Sequence, residues 1–258
     1  MKEIMFSDYH LFLLVLTRMS GVFLFNPFLG KKNVPSIVKI GLSLLVAIIV
    51  TPTLSTKGVE ISSDIGFILI LLKELLIGYL TGFIISLFVS WVLMAGEMSD
   101  VQLGLGMSKI YDPHSNITMP LIGSLYNIML TLIFFSSKSH LTLIKIASVS
   151  CEVFPPGPSM INMDIGSHVV LLFGDMLLLT LKLAIPIIAV ELLAEAGLGV
   201  LMRTVPQVNV FVASIQLKLL IGLIVIFLFL PSVSGILNKS IGYMFERLED
   251  SLVLMLKT

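Results

Sequence analysis

The chain has 258 residues, 57% of them apolar and only 12% charged, where soluble domains carry about 25% charged residues. Sixteen Lys and Arg against sixteen Asp and Glu leave zero formal charge, so no field draws in nucleic acid or acidic substrates. So few charged groups cannot coat a water-soluble protein of this size, and the composition predicts a polytopic helical membrane protein. The single cysteine, Cys151, excludes an intrachain disulfide and a multi-cysteine metal site; it reads as a small buried apolar residue.

The N-terminus opens with Lys2 but then carries Glu3 and Asp8, and its first apolar run is interrupted by Arg18 with no small-residue cleavage site behind it. A cleaved signal peptide is not expected. Apolar segments long enough to cross or nearly cross a bilayer lie near 11–29, 37–54, 65–95, 119–135, 167–202 and 211–231. Residues 65–95 would span roughly 46 Å and 167–202 roughly 54 Å against a hydrocarbon core of about 30 Å, so both must tilt, bend or leave the membrane. Pro186 in the second of these removes a backbone donor and predicts a kink there, with Gly197 and Gly199 loosening the end. Gly78 and Gly82 share one helix face and permit close contact with a neighbour. Lys31, Lys32 and Lys39 make the first connection basic, whereas Lys57, Glu60 and Asp64 make the second mildly acidic, which favours the first on the cytoplasmic side. No fixed-period repeat or low-complexity linker divides the chain, so residues 1–258 are expected to form one helical membrane domain. Its tail, 232–258, reads either as an amphipathic terminal helix or as a frayed end.

Ionisable residues inside the apolar segments are the most informative ones: Arg18, Lys73, Glu74, Asp175, Lys182, Glu191, Glu195 and Lys218. Each costs roughly 2.5 to 3.5 kcal/mol at the bilayer centre when it faces lipid, so they must pair, line water or sit against protein. Asp175 and Lys182 share a helix face, as do Glu191 and Glu195, where two like charges repel unless a cation such as Arg18, Lys73 or Lys218 lies between them. Three readings stand side by side: a substrate or proton pathway, burial against neighbouring subunits, and internal pairing or snorkelling of the long-stemmed lysines.

Catalytic patterns are missing. His10, His114, His140 and His168 are scattered without metal-ligand spacing. The Gly104-Leu-Gly106 and Gly197-Leu-Gly199 pairs lack the third glycine and the strand of a dinucleotide fingerprint. With no Walker motif or nucleophile elbow either, the reading is a non-enzymatic protein with no cofactor and no metal.

From Gly96 to Pro120 the chain is neither strongly apolar nor openly charged. Its glycines open conformations closed to other residues, and Asp112-Pro113 favours an extended or turning backbone, so an ordered loop is expected. Irregular backbone survives at membrane depth only when buried in protein or lining a wet cavity, so a folded-back loop here would line or block a pore; otherwise it is an aqueous connection. Met107 and Met119 are suited to a deformable seal.

Several stretches together resemble a known family. Arg18 with Asn26-Pro27 and the run from Val34-Pro35 through Lys39, then Gly96-Glu97, Gln102-Leu103-Gly104, Tyr111-Asp112-Pro113 and Met119-Pro120 occur in order. They are followed by His140-Leu141 ahead of Phe154-Pro155, Ala184-Ile185-Pro186, Gly197-Leu198-Gly199, Arg203-Thr204-Val205-Pro206-Gln207-Val208-Asn209 and Lys218 to Gly222. This succession is similar to the FliR family of flagellar export-gate subunits and their injectisome counterparts, over nearly the whole chain. A departure is Ser139, where members commonly carry glycine before the histidine.

The resemblance implies a structural and conducting role within a type III secretion gate, with kinked helical hairpins wound into a helical assembly. It implies FliP, FliQ and FlhB as membrane partners, FlhA and exported flagellar proteins beyond them, and the bacterial inner membrane and flagellar basal body as the location. By the same resemblance the loop of about 104–120, with Gly104, Gly106, Met107, Tyr111, Asp112, Pro113, Met119 and Pro120, corresponds to a pore plug. Pro27, Pro35, Gln102, Pro186, Arg203, Pro206, Gln207 and Asn209 belong to the family signature. An injectisome gate subunit is the alternative within the class, and a small-solute secondary transporter the alternative outside it, suggested by interrupted helices and midplane charges.

Overall fold

A computed structural model describes residues 2–29, 34–54, 64–105, 110–112, 117–159, 161–204 and 210–255. Among these the protein is almost entirely helical: α1 (Lys2–Leu24), α2 (Ser36–Val50), α3 (Asp64–Gln102), α4 (Leu121–Ser136), α5 (Ser139–Val153), α6 (Asp164–Thr204) and α7 (Val210–Leu254). A single 3₁₀ turn, Thr51–Thr53, extends α2, and two short strands, β1 (Ile110–Asp112) and β2 (Ile117–Met119), pair antiparallel with Ile110 opposite Met119 and Asp112 opposite Ile117. Four stretches are long and apolar enough to cross a membrane, Ser36–Thr53, Asp64–Gln102, Asp164–Val200 and Gln216–Leu254, while α4 and α5 pass that test only as a pair. The protein is therefore an all-α polytopic membrane protein, and each of the six apolar segments read from the sequence lies on a helix.

Two differences from that reading have physical causes. Residues 139–153 form α5, which hydropathy does not reveal because Ser139, His140, Lys145 and Glu152 dilute it. Its buried residues Ser139, Leu143, Ile146, Ala147, Ser150 and Cys151 nevertheless recur at three- and four-residue intervals, the signature of one helix face. The second difference is α7, which runs through Pro231 to Leu254 where the apolar segment was expected to end. Proline removes one intrahelical hydrogen bond, at a cost of about 3 kcal/mol, but the helix resumes when its apolar face is buried beyond. Val233, Leu237, Ile241, Met244, Leu248 and Leu252 provide that face, so the tail is an amphipathic helix. Pro186 likewise lies inside a continuous α6.

The chain divides into two compact units. One comprises Met1–Leu87, Ser137–Phe173 and Gly242–Thr258; the other comprises Phe88–Ser136 and Gly174–Ile241. In the first, α1 packs on α2 and α5 and buries a stripe of Leu11, Leu14, Val15, Arg18, Met19 and Val22. Its crossing with α3 is made by glycine: a methyl group at Gly21 would lie 2.9 Å from the Leu75 carbonyl oxygen and 3.0 Å from the Gly78 Cα. Gly82 meets Phe25 in the same way, a Cβ there falling 2.9 Å from the Phe25 Cβ. Both glycines singled out in the sequence thus serve close helix contact, in which backbones approach because neither carries a side chain.

The chain leaves α1 through an Asx turn. The Asn26 side-chain oxygen accepts the N–H groups of Phe28 (2.8 Å) and Leu29 (3.1 Å), bending the backbone at Asn26-Pro27. Pro35 stands at the N-cap of α2 in an extended conformation and its carbonyl accepts from Val38 (2.9 Å). Hydroxyl side chains inside the helices hide their polarity by donating to the carbonyl one turn back, as Thr17 does to Leu13, Ser43 to Lys39, Thr81 to Ile77 and Ser99 to Ala95. Outward faces are apolar instead: Ile37, Val38, Ile40, Leu44, Leu45, Ile48 and Ile49 of α2 and Leu223, Phe227 and Leu228 of α7 are all exposed. A helix with charge inside and hydrocarbon outside suits lipid or a partner subunit, not water.

Candidate functional site

In the first unit the charged residues of α1 and α3 converge on the end of α5. Arg18 lies on the buried stripe of α1, and its Nε donates to Glu74 Oε2 at 2.6 Å while its Nη2 forms an ion pair with the same oxygen. Both side chains are fully buried. The other guanidinium arm, Nη1, donates to the carbonyls of Ser150 (2.8 Å) and Phe154 (2.7 Å). The Ser150 carbonyl also accepts the Phe154 N–H (2.9 Å), and both carbonyls lie at the end of α5, where the negative end of the helix dipole favours a cation. Lys73 adds a second cation: its Nζ is 3.1 Å from Glu74 Oε1 and donates to the Gly157 carbonyl and to Ser159 O (3.2 Å) and Oγ (3.3 Å). The Phe154 ring sits beneath both cations, 5.6 Å from Arg18 Cζ and 5.0 Å from Lys73 Nζ.

Two cations thus share one carboxylate, and backbone carbonyls of the Phe154–Ser159 turn take up the surplus. The turn contains Pro155, Pro156 and Pro158. Prolines lack the N–H that would compete for such contacts, and the Gly157 N–H itself reaches Glu74 Oε1 (3.4 Å). Arg18, Lys73 and Glu74 are therefore paired internally.

The second unit holds two further features. On α6 and α7, Lys218 Nζ contacts Glu195 Oε1 at 3.0 Å, with the Glu195 side chain half exposed. One turn before Glu195, Glu191 is fully buried, and neither of its carboxylate oxygens has a hydrogen-bond partner among the described residues. It packs on Gly222, where a Cβ would lie 2.9 Å from its Oε1. Asp175 is half-buried and Lys182 exposed, both on α6.

The second feature is the root of the polar loop. Asp100, buried in the last turns of α3, accepts the Ile122 N–H of α4 at 3.1 Å (Oδ1) and 3.3 Å (Oδ2). Gly96, one turn earlier, abuts Gly123 backbone to backbone. After Leu103 the chain leaves α3 at Gly104, whose φ of +76° lies in the left-handed region that glycine enters freely. Beside this root an open cavity of about 360 Å³ is lined by Met94, Glu97, Met98, Val101, Gln102 and Ile188.

Of the predicted loop residues, Gly104 closes α3, Tyr111 and Asp112 lie in β1, Met119 ends β2 and Pro120 precedes α4. Gly106, Met107 and Pro113 fall outside the described residues, as do Pro206, Gln207 and Asn209. Arg203 lies in the last turn of α6. Pro27, Pro35, Gln102 and Pro186 occupy the turn after α1, the cap of α2, the end of α3 and the middle of α6. Sequence reasoning did not single out Asp100, Gly123 or the Phe154–Ser159 turn as parts of a site. Asp100 carried a signal nonetheless, an acid placed between Ser99 and an apolar stretch, but its partner is 22 residues further on.

Charges secured inside the helices, together with apolar outer faces on helices long enough to cross a bilayer, define a polytopic helical membrane protein. The chain belongs to the bacterial export proteins, family 1, whose model matches residues 9–244. It is 28% identical over 247 residues to the flagellar biosynthetic protein FliR of Bacillus subtilis (strain 168), covering 95% of both chains. The FliR of Escherichia coli (strain K12) is 27% identical over 224 residues, covering 87% of this chain and 85% of its own. The surface presentation of antigens protein SpaR of Shigella flexneri is 29% identical over 233 residues, covering 86% and 88%.

Breaking the Arg18–Glu74 pair leaves a buried charge uncompensated, which costs about 3 to 5 kcal/mol. Glu74→Ala should therefore lower the thermal midpoint of the detergent-solubilised protein sharply, and Arg18→Met with Glu74→Leu should recover much of it. Glu195→Ala, at a half-exposed pair, should change stability by about 1 kcal/mol or less.

Proposed function

We propose that this protein is a non-enzymatic subunit of the flagellar type III export gate, forming part of the closed channel through which unfolded rod, hook and filament proteins leave the cell. The observation that carries this reading is family membership over nearly the whole chain, with flagellar biosynthetic relatives aligned end to end. It works in the cytoplasmic membrane at the flagellar basal body, in contact with lipid and with FliP, FliQ and FlhB, with FlhA and the exported proteins as further partners. Energy for transport comes from elsewhere, from the proton-motive force and a separate ATPase. Family membership favours export over small-solute transport. The likeness to SpaR favours one second reading, a gate subunit of an injectisome.

Within this reading the loop of 104–120 plugs the pore at rest. Gly104 turns the chain off α3, and the antiparallel β1 and β2 return it to α4. The acidic pair Glu191 and Glu195 faces a single described cation, Lys218, and in the assembled gate it meets a cation of a neighbouring subunit. Arg18, Lys73 and Glu74 have an internal role, since their partners lie within the chain.

An in-frame deletion in the bacterium of origin should abolish both swimming and the release of flagellar proteins into the medium, with a plasmid copy restoring both. Intact flagella would move the assignment to an injectisome. Removing residues 106–119 should make membranes carrying the assembled gate leaky to small ions, and an assembled gate of unchanged permeability would defeat the plug. Glu191→Ala with Glu195→Ala should reduce co-purification with the partner subunits and export together; normal assembly and export would make these carboxylates purely internal.

A further inference from the structure

Lys182 stands apart from the other charges inside the apolar segments. Arg18, Lys73 and Glu74 pair with one another, Lys218 pairs with Glu195, Glu191 is enclosed against Gly222 and Asp175 is half-buried. Lys182 is exposed, and no carboxylate among the described residues pairs with it. It is also the midpoint of Asp164–Val200, the stretch of α6 that is long and apolar enough to cross a membrane.

That stretch is roughly 55 Å long, against a hydrocarbon core of about 30 Å. A lysine reaches water by snorkelling only near the end of a span. Placing Lys182 at a membrane surface therefore puts one half of the stretch outside the hydrocarbon. If that is the half after Lys182, the exposed Ile185, Leu192, Leu193 and Val200 are left in water; if it is the half before, Leu171, Leu177 and Leu178 are. Centring the stretch on the membrane instead leaves a bare cation at mid-depth. Every placement calls for a covering protein surface.

The pattern around Lys182 shows what kind of surface fits. Leu178, Lys182, Ile185, Ala189, Leu192 and Ala196 recur at alternating four- and three-residue steps, and all of them are exposed. This is the spacing of a helix–helix seam, in which each side chain enters a hole formed by residues of the facing helix. Ala189 and Ala196 leave room for close backbone approach. A wet channel is a poor match, because the neighbours of Lys182 one turn away, Leu178, Leu179, Ile185 and Pro186, are all apolar. A second copy related by a two-fold axis along the membrane normal is a poor match too, since it brings equal depths together and sets Lys182 against Lys182. A cation in an apolar seam is held by an opposite charge, and one such position selects partner and register at a cost in stability.

We propose that this seam of α6 is the docking surface for a helix of a different membrane subunit, which presents an aspartate or glutamate at the depth of Lys182. The partner's carboxylate neutralises the lysine, and its apolar side chains cover the leucines on either side. This rests on the membrane class of the chain alone and holds for a flagellar or an injectisome assembly alike.

The test uses the full-length chain in membranes of the bacterium of origin. Leu178 and Leu192 are each replaced by photoreactive p-benzoylphenylalanine, and both should form an adduct with one other membrane protein, at a segment that contains an acidic residue. Lys182→Glu should lower several-fold the fraction of the chain that migrates in its native complex, with the amount in the membrane unchanged. A lysine in place of the partner's acid should restore that fraction, and Lys182→Arg should assemble normally. Ala189→Leu fills the seam without altering charge; it should lose the complex as well and decides the matter if Lys182→Glu does not insert. Adducts with lipid alone or with a second copy of this chain overturn the proposal. So does normal assembly of Lys182→Glu or, where that variant does not insert, of Ala189→Leu. Failure of every acid replacement in the adduct segment to rescue Lys182→Glu removes the carboxylate, and the proposal with it.

Discussion

The fold depends on one constraint, that charge and backbone polarity away from water must be satisfied by the chain itself. Arg18 and Glu74 meet it most completely. A guanidinium with two arms can hold a carboxylate on α3 and two carbonyls at the end of α5 simultaneously, which a lysine, with a compact point charge, could not match in geometry. The pair thereby connects α1, α3 and α5 at one point, and Lys73 extends the connection into the proline-rich turn behind α5. Such a pair adds little net stability over an apolar replacement, but it fixes which surfaces must meet, because any other arrangement strands a buried charge.

Close backbone approach is the second means by which the helices are held. Gly21 against Gly78 and Gly96 against Gly123 let helices touch where side chains would separate them. In an apolar solvent there is little hydrophobic gain from moving a leucine out of lipid into protein, so dispersion contact and polar bonds carry the association. The two glycine crossings sit beside two of the buried acids, Gly78 one turn from Glu74 and Gly96 one turn from Asp100. Proximity of the backbones is what brings a carboxylate within reach of a donor on the neighbouring element.

This architecture suits a gate subunit. The outer faces of α2 and α7 are apolar over several turns and suit lipid or other subunits. Polar and close-packed contact at the start of the connection from α3 to α4 is concentrated at Asp100 and at Gly96 against Gly123.

Hydropathy and periodicity are local properties, and they made the membrane class, the helices under all six apolar segments and the family itself legible, whereas residues 96–102, read as the start of a loop, continue α3 to Gln102. The shared face of Gly78 and Gly82 on α3 was legible for the same reason, since a 3.6-residue period is written in neighbouring positions. Even local signals failed where composition was mixed, at α5 with its His140 and Lys145 and beyond Pro231 in α7, because burial of one face there outweighs propensity and a lost hydrogen bond. Pairing was not legible. That Arg18 meets Glu74 56 residues away and Ser150 132 residues away, that Asp100 caps a helix across a loop, and that Glu191 lies buried beside Gly222 are consequences of where the chain returns in space. The sequence determined that these charges had to be satisfied. Only the tertiary structure decided by whom, because a charge in a low-dielectric interior selects its partner by distance and orientation, and neither is encoded in separation along the chain.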